Sequence, residues 1–247
     1  YLLIMEECIT ITFSENVENH VGNQQIGYQL DKGYDYSDLR VIQNKLHDDN
    51  YETKLLCLNK LLDEERELSD PAYILIIRNA VEQNDILFEK LKELNWDQKA
   101  KMRGKVVNKH ARYNLCFADF EQEPNYDIGN GRVYSFENIP ELEKLRDYLQ
   151  ELTGMTLNAE GNYYYDINKC GIGYHGDAER KVVIGCRFGA SMSLHFNWYK
   201  NSIERGKKLK INLNSGDIYI MSEKATGFDW KKRNIYTLRH SAGMKYL

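Results

Sequence analysis

Asn162-Tyr163-Tyr164-Tyr165-Asp166 is followed, nine residues after Asp166, by His175-Gly176-Asp177. An H-x-D pair at the end of a strand offers two of the three ligands of a facial triad, which leaves open positions on a non-haem Fe(II) for O2 and a co-substrate. The third ligand must then be a histidine downstream. Only His195 and His240 lie beyond Asp177, and His240 closes the strand-like run Tyr236-Thr237-Leu238-Arg239-His240. His240 is the reading adopted; His195, in Ser193-Leu194-His195-Phe196, is expected to be an interior histidine.

Around this stretch the pattern is one of short strands broken by Gly and Asn turns. Ala111–Phe117, Val133–Phe136, Gly161–Tyr165, Ile172–His175, Val182–Phe188, Ser193–Tyr199, Lys208–Leu213, Asp217–Met221 and Tyr236–His240 all read as strands. One helix interrupts them at Ile139–Leu152, started by Pro140. Many short strands at even spacing imply a sandwich or barrel. Upstream, Cys8–Phe13 reads as a strand, Tyr36–Leu46 and Tyr51–Leu68 as amphipathic helices, Ala72–Arg78 as a buried strand and Ala80–Leu94 as a helix. Ser69-Asp70-Pro71 breaks the pattern, so residues 1–71 are expected to be a helical N-terminal extension and residues 72–247 the strand-rich domain.

Composition sets the outer limits. The 247 residues carry 42% hydrophobic content and a formal charge of -4, enough for one substantial core. No apolar run approaches the roughly 18 residues of a membrane span, and Tyr1-Leu2-Leu3-Ile4-Met5 is too short for a signal peptide, so a soluble intracellular protein is expected. The five cysteines are odd in number and never in C-x-x-C spacing, which argues against a disulfide framework or a zinc site. Charge is uneven: residues 1–98 hold 20 Asp+Glu against 9 Lys+Arg, residues 99–247 hold 17 against 24. Lys99, Lys101, Arg103, Lys105, Lys109 and Arg112 occur with no acid among them, either as a solvated face or as a loop gripping a phosphate backbone.

The elements Ala111-Arg112-Tyr113, Asn162-x-Tyr164-x-Asp166, Ile172-Gly173-x-His175-x-Asp177-x-Glu179, Val183–Gly189 and Gly216-Asp217-Ile218-Tyr219-Ile220-Met221-Ser222, in that order, resemble the AlkB family of Fe(II)/2-oxoglutarate dioxygenases over about residues 72–247. The full-length pattern is similar to uncharacterised dioxygenase-like proteins of large DNA viruses. The resemblance implies an α+β fold built on a double-stranded β-helix, a jelly-roll barrel of the cupin kind with flanking helices. It implies that His175, Asp177 and His240 hold Fe(II), that 2-oxoglutarate chelates the metal through its keto-acid end, and that O2 is consumed as a substrate C–H bond is oxidised. Asn162 and Tyr164 would face the co-substrate, with Arg112 and Glu179 on the substrate side. The substrate class implied is an N-alkylated nucleobase in DNA or RNA, approached through the basic segment Lys99–Arg112; a protein side-chain hydroxylase is the rival enzyme, and a non-catalytic nucleic-acid or partner-binding module the rival class.

The chain departs from the family at one point. Members take the cation for the far carboxylate of 2-oxoglutarate from an arginine on the strand after the distal histidine, in a pattern like R-x-N-x-T-x-R, but here only seven residues follow His240. Arg233-Asn234-Ile235-Tyr236-Thr237-Leu238-Arg239 precedes that histidine and lacks the central Asn. Alternation along Val183–Gly189 puts Val183, Gly185 and Arg187 on one face, expected to look into the barrel, and a charge there needs a partner. Arg187 is therefore the expected carboxylate ligand, with Arg239 and Lys245 as alternatives.

Overall fold

The computed structural model describes residues 6–243; the readings of Tyr1–Met5 and of Lys245 lie outside the described residues. The chain opens with β1 (Cys8–Ser14), a hairpin of β2 (Asn16–Asn19) and β3 (Gln24–Gly27), and helix α1 (Tyr36–Asp48). Strand β4 (Thr53–Cys57), 3-10 turns over Leu58–Leu68, β5 (Tyr73–Ile77) and α2 (Asn84–Lys92) follow. A second hairpin, β6 (Lys99–Met102) and β7 (Lys105–Asn108), precedes β8 (Tyr113–Ala118), β9 (Val133–Ser135) and α3 (Pro140–Thr153). The remainder is β10 (Asn158–Tyr164), β11 (Ile172–His175), β12 (Val183–Gly189), β13 (Met192–Lys200), β14 (Ile203–Leu213), β15 (Ile218–Met221), the short α4 (Glu223–Thr226) and β16 (Thr237–Ala242).

These elements make a mixed α+β, strand-rich fold in three layers. The larger sheet runs β4-β5-β15-β12-β1-β10-β8-β9, and the smaller runs β11-β16-β13-β14; the two are not hydrogen-bonded into one closed barrel. Helices α1, α2 and α3 cover one face of the larger sheet. Their apolar stripes, Leu39, Ile42 and Leu46, then Leu87, Phe88 and Leu91, then Leu142, Leu145, Leu149 and Leu152, share a core with Ile9, Ile11, Phe13, Ile184 and Phe188. The opposite face meets the smaller sheet, where Ile74, Val183 and Met221 pack against Leu194, Phe196, Trp198 and Leu238.

Local chemistry explains the helix ends. Asp35 caps α1 with a reciprocal box, accepting from Ser37 and Asp38 while Asp38 accepts from the Asp35 backbone. Pro140 opens α3, and Gly154 closes it at φ 72°, a conformation that costs a side-chain-bearing residue more.

The helical N-terminal extension expected over residues 1–71 is not what the chain forms. Cys8-Ile9-Thr10-Ile11-Thr12-Phe13-Ser14 is an alternating, β-branched run, and it lies wholly buried between β12 and β10, antiparallel to both. Its odd residues Ile9, Ile11 and Phe13 face the helices, and Thr10 and Thr12 face the space between the sheets. The helix read over Tyr51–Leu68 fails for a tertiary reason. Thr53–Cys57 pairs residue for residue with Tyr73–Ile77, so sheet pairing overrides the helical leucine spacing, and only Leu58–Leu68 turns helically, as 3-10. Strands on both sides of residue 71 thus belong to one sheet.

Candidate metal centre

The register of the smaller sheet builds the site. β11 pairs with β16 so that His175 stands directly opposite His240. The chain then leaves β11 through Gly176, where an added Cβ would lie 2.2 Å from the Gly227 carbonyl oxygen, so only glycine allows the next residue to turn back towards the histidines. That residue is Asp177, tethered by its backbone N–H to Thr226 O at 3.0 Å. Its two carboxylate oxygens sit 3.6 Å from His175 Nε2 and 3.7 Å from His240 Nε2. All three ligating atoms fall within 4.8 Å of one another, so the trio could hold a metal ion.

Protonation supports that reading. His175 Nδ1 lies 2.8 Å from the Gly173 carbonyl oxygen, which can only accept, so Nδ1 carries the proton and Nε2 keeps its lone pair towards Asp177. Burial, reinforced by the neighbouring His240, brings His175 down to about 3; burial and the Arg180 charge bring His240 down to about 4. Both rings are therefore neutral at neutral pH, the state a metal requires. Ligand atoms about 2.1 Å from an ion and at right angles stand roughly 3 Å apart, so the three side chains must draw inward to close the set around an ion. Two imidazoles and one carboxylate are the donors of a non-haem iron triad, and the fit is chemical as well as geometric.

A cavity of about 290 Å³ opens from the triad between the sheets. Across it lies Arg187, 1% exposed, projecting from β12 on the same face as Val183, as alternation requires. Arg187 Nη1 donates to Thr10 Oγ1 at 2.7 Å and reaches Cys8 Sγ at 3.2 Å, while Nε has no partner. Among the described residues no carboxylate pairs with this buried cation. Tyr219, directly opposite Gly185 on β15, adds its ring to the same wall; a Cβ on Gly185 would stand 2.0 Å from that ring, so glycine is what admits it. Asn162 and Tyr164 on β10 line the wall beside β1, and burial raises the Tyr164 hydroxyl.

The remaining wall is polar and charged. Burial alone would raise the Glu160 carboxyl, but Arg180 and His20 hold it well below the usual carboxylate range. Arg180 Nη2 bridges Glu160 and Glu179 at 2.6 Å each. Arg112, half-buried, donates through Nε to Asn162 Oδ1 at 2.6 Å. The two residues expected on the substrate side, Arg112 and Glu179, thus both line the cavity.

The other expected cations divide. Arg239 points away from the cavity, its guanidinium 4.1 Å from the Tyr199 ring centre. His195 also faces away, because its neighbour Phe196 is the residue that meets the His240 ring. Of the basic segment, Lys99, Lys101, Arg103 and Lys105 belong to the β6–β7 hairpin, which also exposes Met102, Val106 and Val107. Lys109 turns inward, and burial holds its ammonium down at about 8. A second groove of about 520 Å³ runs along this hairpin and shares His20, Asn23 and Arg112 with the metal cavity.

The sequence reading missed Thr10, Thr12, Tyr219, His20 and Glu160. Glu160 was within reach, since alternation puts it on the face of Asn162 and Tyr164. The two threonines were not, because nothing local joins β1 to β12. All five cysteines are free, and Cys170 packs with Met192 and Ala242. No helix among the described residues is long and apolar enough to cross a membrane.

No protein-family model matches the chain. It is 50% identical over 244 residues to an uncharacterized protein of Acanthamoeba polyphaga mimivirus, a match spanning 97% of this chain and 96% of that one. The chain belongs to the same family as that viral protein.

Proposed function

We propose that the protein is an AlkB-like Fe(II)/2-oxoglutarate-dependent dioxygenase that oxidises an alkylated nucleobase in DNA or RNA. The observation that carries the reading is the opposition, across one cavity, of a two-histidine, one-carboxylate cluster and a buried arginine with no anionic partner among the described residues. Leaving a charge unpaired in a protein interior costs several kcal/mol, on the order of 3–5. Such a residue is retained where its partner is a ligand, and a dicarboxylate that also reaches the metal is the ligand that satisfies both ends.

The strand order supports the finer fold as well. From β10 to β16 the chain crosses between the sheets in the manner of a jelly roll, pausing only for the β13–β14 hairpin in the smaller one, and the place in the larger sheet between β10 and β12 is filled by β1. On this reading the double-stranded β-helix is completed by the N-terminal strand. On the same reading the carboxylate site is assembled from Arg187 and its cross-strand partner Thr10.

His175, Asp177 and His240 would hold Fe(II), and the bound metal and 2-oxoglutarate would supply O2-dependent oxidation of a substrate C–H bond with release of succinate. The chain's own part is placement. Arg187 anchors the distal carboxylate with Thr10 and Tyr219 around it, Asn162 and Tyr164 donate to the co-substrate, and the packed sheets exclude water from that end. Arg112 and Glu179 face the open side, where the substrate enters from the basic hairpin groove. A flipped or single-stranded base would be supported there by phosphate contacts to the hairpin lysines.

The test is anaerobic calorimetry of 2-oxoglutarate binding in the presence of Fe(II), followed by succinate formation in air. Stoichiometric binding and turnover are expected. A protein that binds neither metal nor 2-oxoglutarate removes the reading and leaves the nucleic-acid-binding module in its place.

A further inference from the structure

An asparagine side chain carries a donor on one side and an acceptor on the other, and half a turn about its last bond exchanges them with little change of shape. Which side Asn162 shows to the cavity is therefore set by its neighbours, and these form an ordered series. Lys109 Nζ donates to Asn114 Oδ1 at 2.8 Å. An ammonium has three donors and no acceptor, so Asn114 must turn its oxygen to Lys109 and its Nδ2 the other way. On that side stands Asn162, the direct cross-strand partner of Asn114 between β8 and β10.

Asn114 Nδ2 donates to Asn162 Oδ1 at 2.9 Å, and Arg112 Nε donates to the same oxygen at 2.6 Å. Flipping Asn162 would set its own NH2 against two donors. Its Nδ2 is thereby turned inward, where Glu160 Oε1 lies at a long 3.4 Å. Asn114 is 4% exposed and Asn162 8%, which leaves little room for water to take over these bonds.

We propose that Lys109 and Asn114, neither of which lines the metal cavity, are positioning residues that with Arg112 lock the Asn162 amide so that it donates into the cavity to an oxyanion or carbonyl of the bound ligand. The inference rests on the reading of the cavity as a 2-oxo acid site and adds what orients one of its walls. It also separates Lys109 from Lys99, Arg103 and Lys105, which are exposed on the hairpin.

The experiment compares Asn114→Asp, which keeps the shape but offers acceptors only, with Lys109→Met, which removes the donor, and Lys109→Arg, which restores one. Three quantities are measured anaerobically on the full chain: affinity for Mn(II) alone, affinity for 2-oxoglutarate with Mn(II) present, and melting temperature. Asn114→Asp and Lys109→Met are expected to weaken 2-oxoglutarate binding roughly tenfold with Mn(II) affinity unchanged, and Lys109→Arg to behave as wild type. Wild-type 2-oxoglutarate affinity in Asn114→Asp, or an equal loss of Mn(II) affinity that marks a merely structural role, overturns the inference. If the wild type takes up no 2-oxoglutarate, the functional reading fails on its own account. The positioning claim is then decided by the Asn162 side-chain NH2 resonances, assigned by their loss in Asn162→Asp: they must move in Asn114→Asp and hold in Lys109→Arg, and their failure to move overturns it.

Discussion

Arg187→Met separates two quantities that an arginine with a structural role would lose together. Among the described residues the side chain of Arg187 is fully buried and bonded only to a hydroxyl and two sulfur atoms, with Nε unpaired. Exchanging such a cation for an apolar side chain of similar length is neutral or stabilising by about 1–4 kcal/mol, because the desolvation cost disappears with the charge. In the complex the same change strands a carboxylate in a buried site, at a cost of about 2–5 kcal/mol. At 1.36 kcal/mol per factor of ten, this is a loss of 2-oxoglutarate affinity of roughly 30-fold to several thousand-fold. Thermal melts without ligand and anaerobic calorimetry with Mn(II) and 2-oxoglutarate read the two quantities independently. The expected result is an unchanged or raised Tm with binding nearly abolished. A variant that melts several degrees lower and still binds 2-oxoglutarate as the wild type does would refute the reasoning, since Arg187 would then be part of the scaffold.

Other consequences follow from the same geometry. Gly176→Ala drives a methyl group against the Gly227 carbonyl, so the turn that brings Asp177 back must open; metal affinity measured with Mn(II) should drop at least tenfold, and an unaltered affinity would show that the turn has slack. Unfolded histidines bind protons below about pH 6.5, whereas folded His175 and His240 refuse them down to about 3 and about 4. The metal-free protein therefore loses stability as pH falls from 7 towards 4, and a His175→Asn/His240→Asn double variant, melted over the same range, should show a flatter profile. If the β6–β7 hairpin tracks a phosphate backbone, Arg103→Ala and Lys105→Ala each lower the slope of log affinity for a single-stranded oligonucleotide against log salt by about 0.7; equal slopes in variant and wild type would take the hairpin out of the interface.

The site was more legible in the sequence than the chain's overall plan. His175 and His240 face each other on the smaller sheet with Asp177 just beyond the end of β11, and the H-x-D spacing with one of two downstream strand histidines was enough to bring them together on paper. Arg187 was reachable because period-two alternation fixes the face of a buried strand, and a charge on that face demands an explanation. The plan of the first third was not reachable in the same way. Residues 53–57 satisfy a helical leucine pattern that their pairing with β5 overrides, and that pairing depends on a partner twenty residues away. β1 reads as a strand, but its seat between β12 and β10 joins residues about 150 to 180 positions apart, and no local signal carries that information. The same non-locality hid Thr10 from the site, although it makes the shortest contact to Arg187.

Dioxygenase chemistry at this site is decided by succinate formed from 2-oxoglutarate under Fe(II) and O2, by wild type, His240→Ala and Arg187→Met side by side. Succinate is expected from the wild type and none above background from either variant. Succinate production that survives loss of His240 or Arg187, or a wild type that makes none while demonstrably loaded with iron, would contradict it.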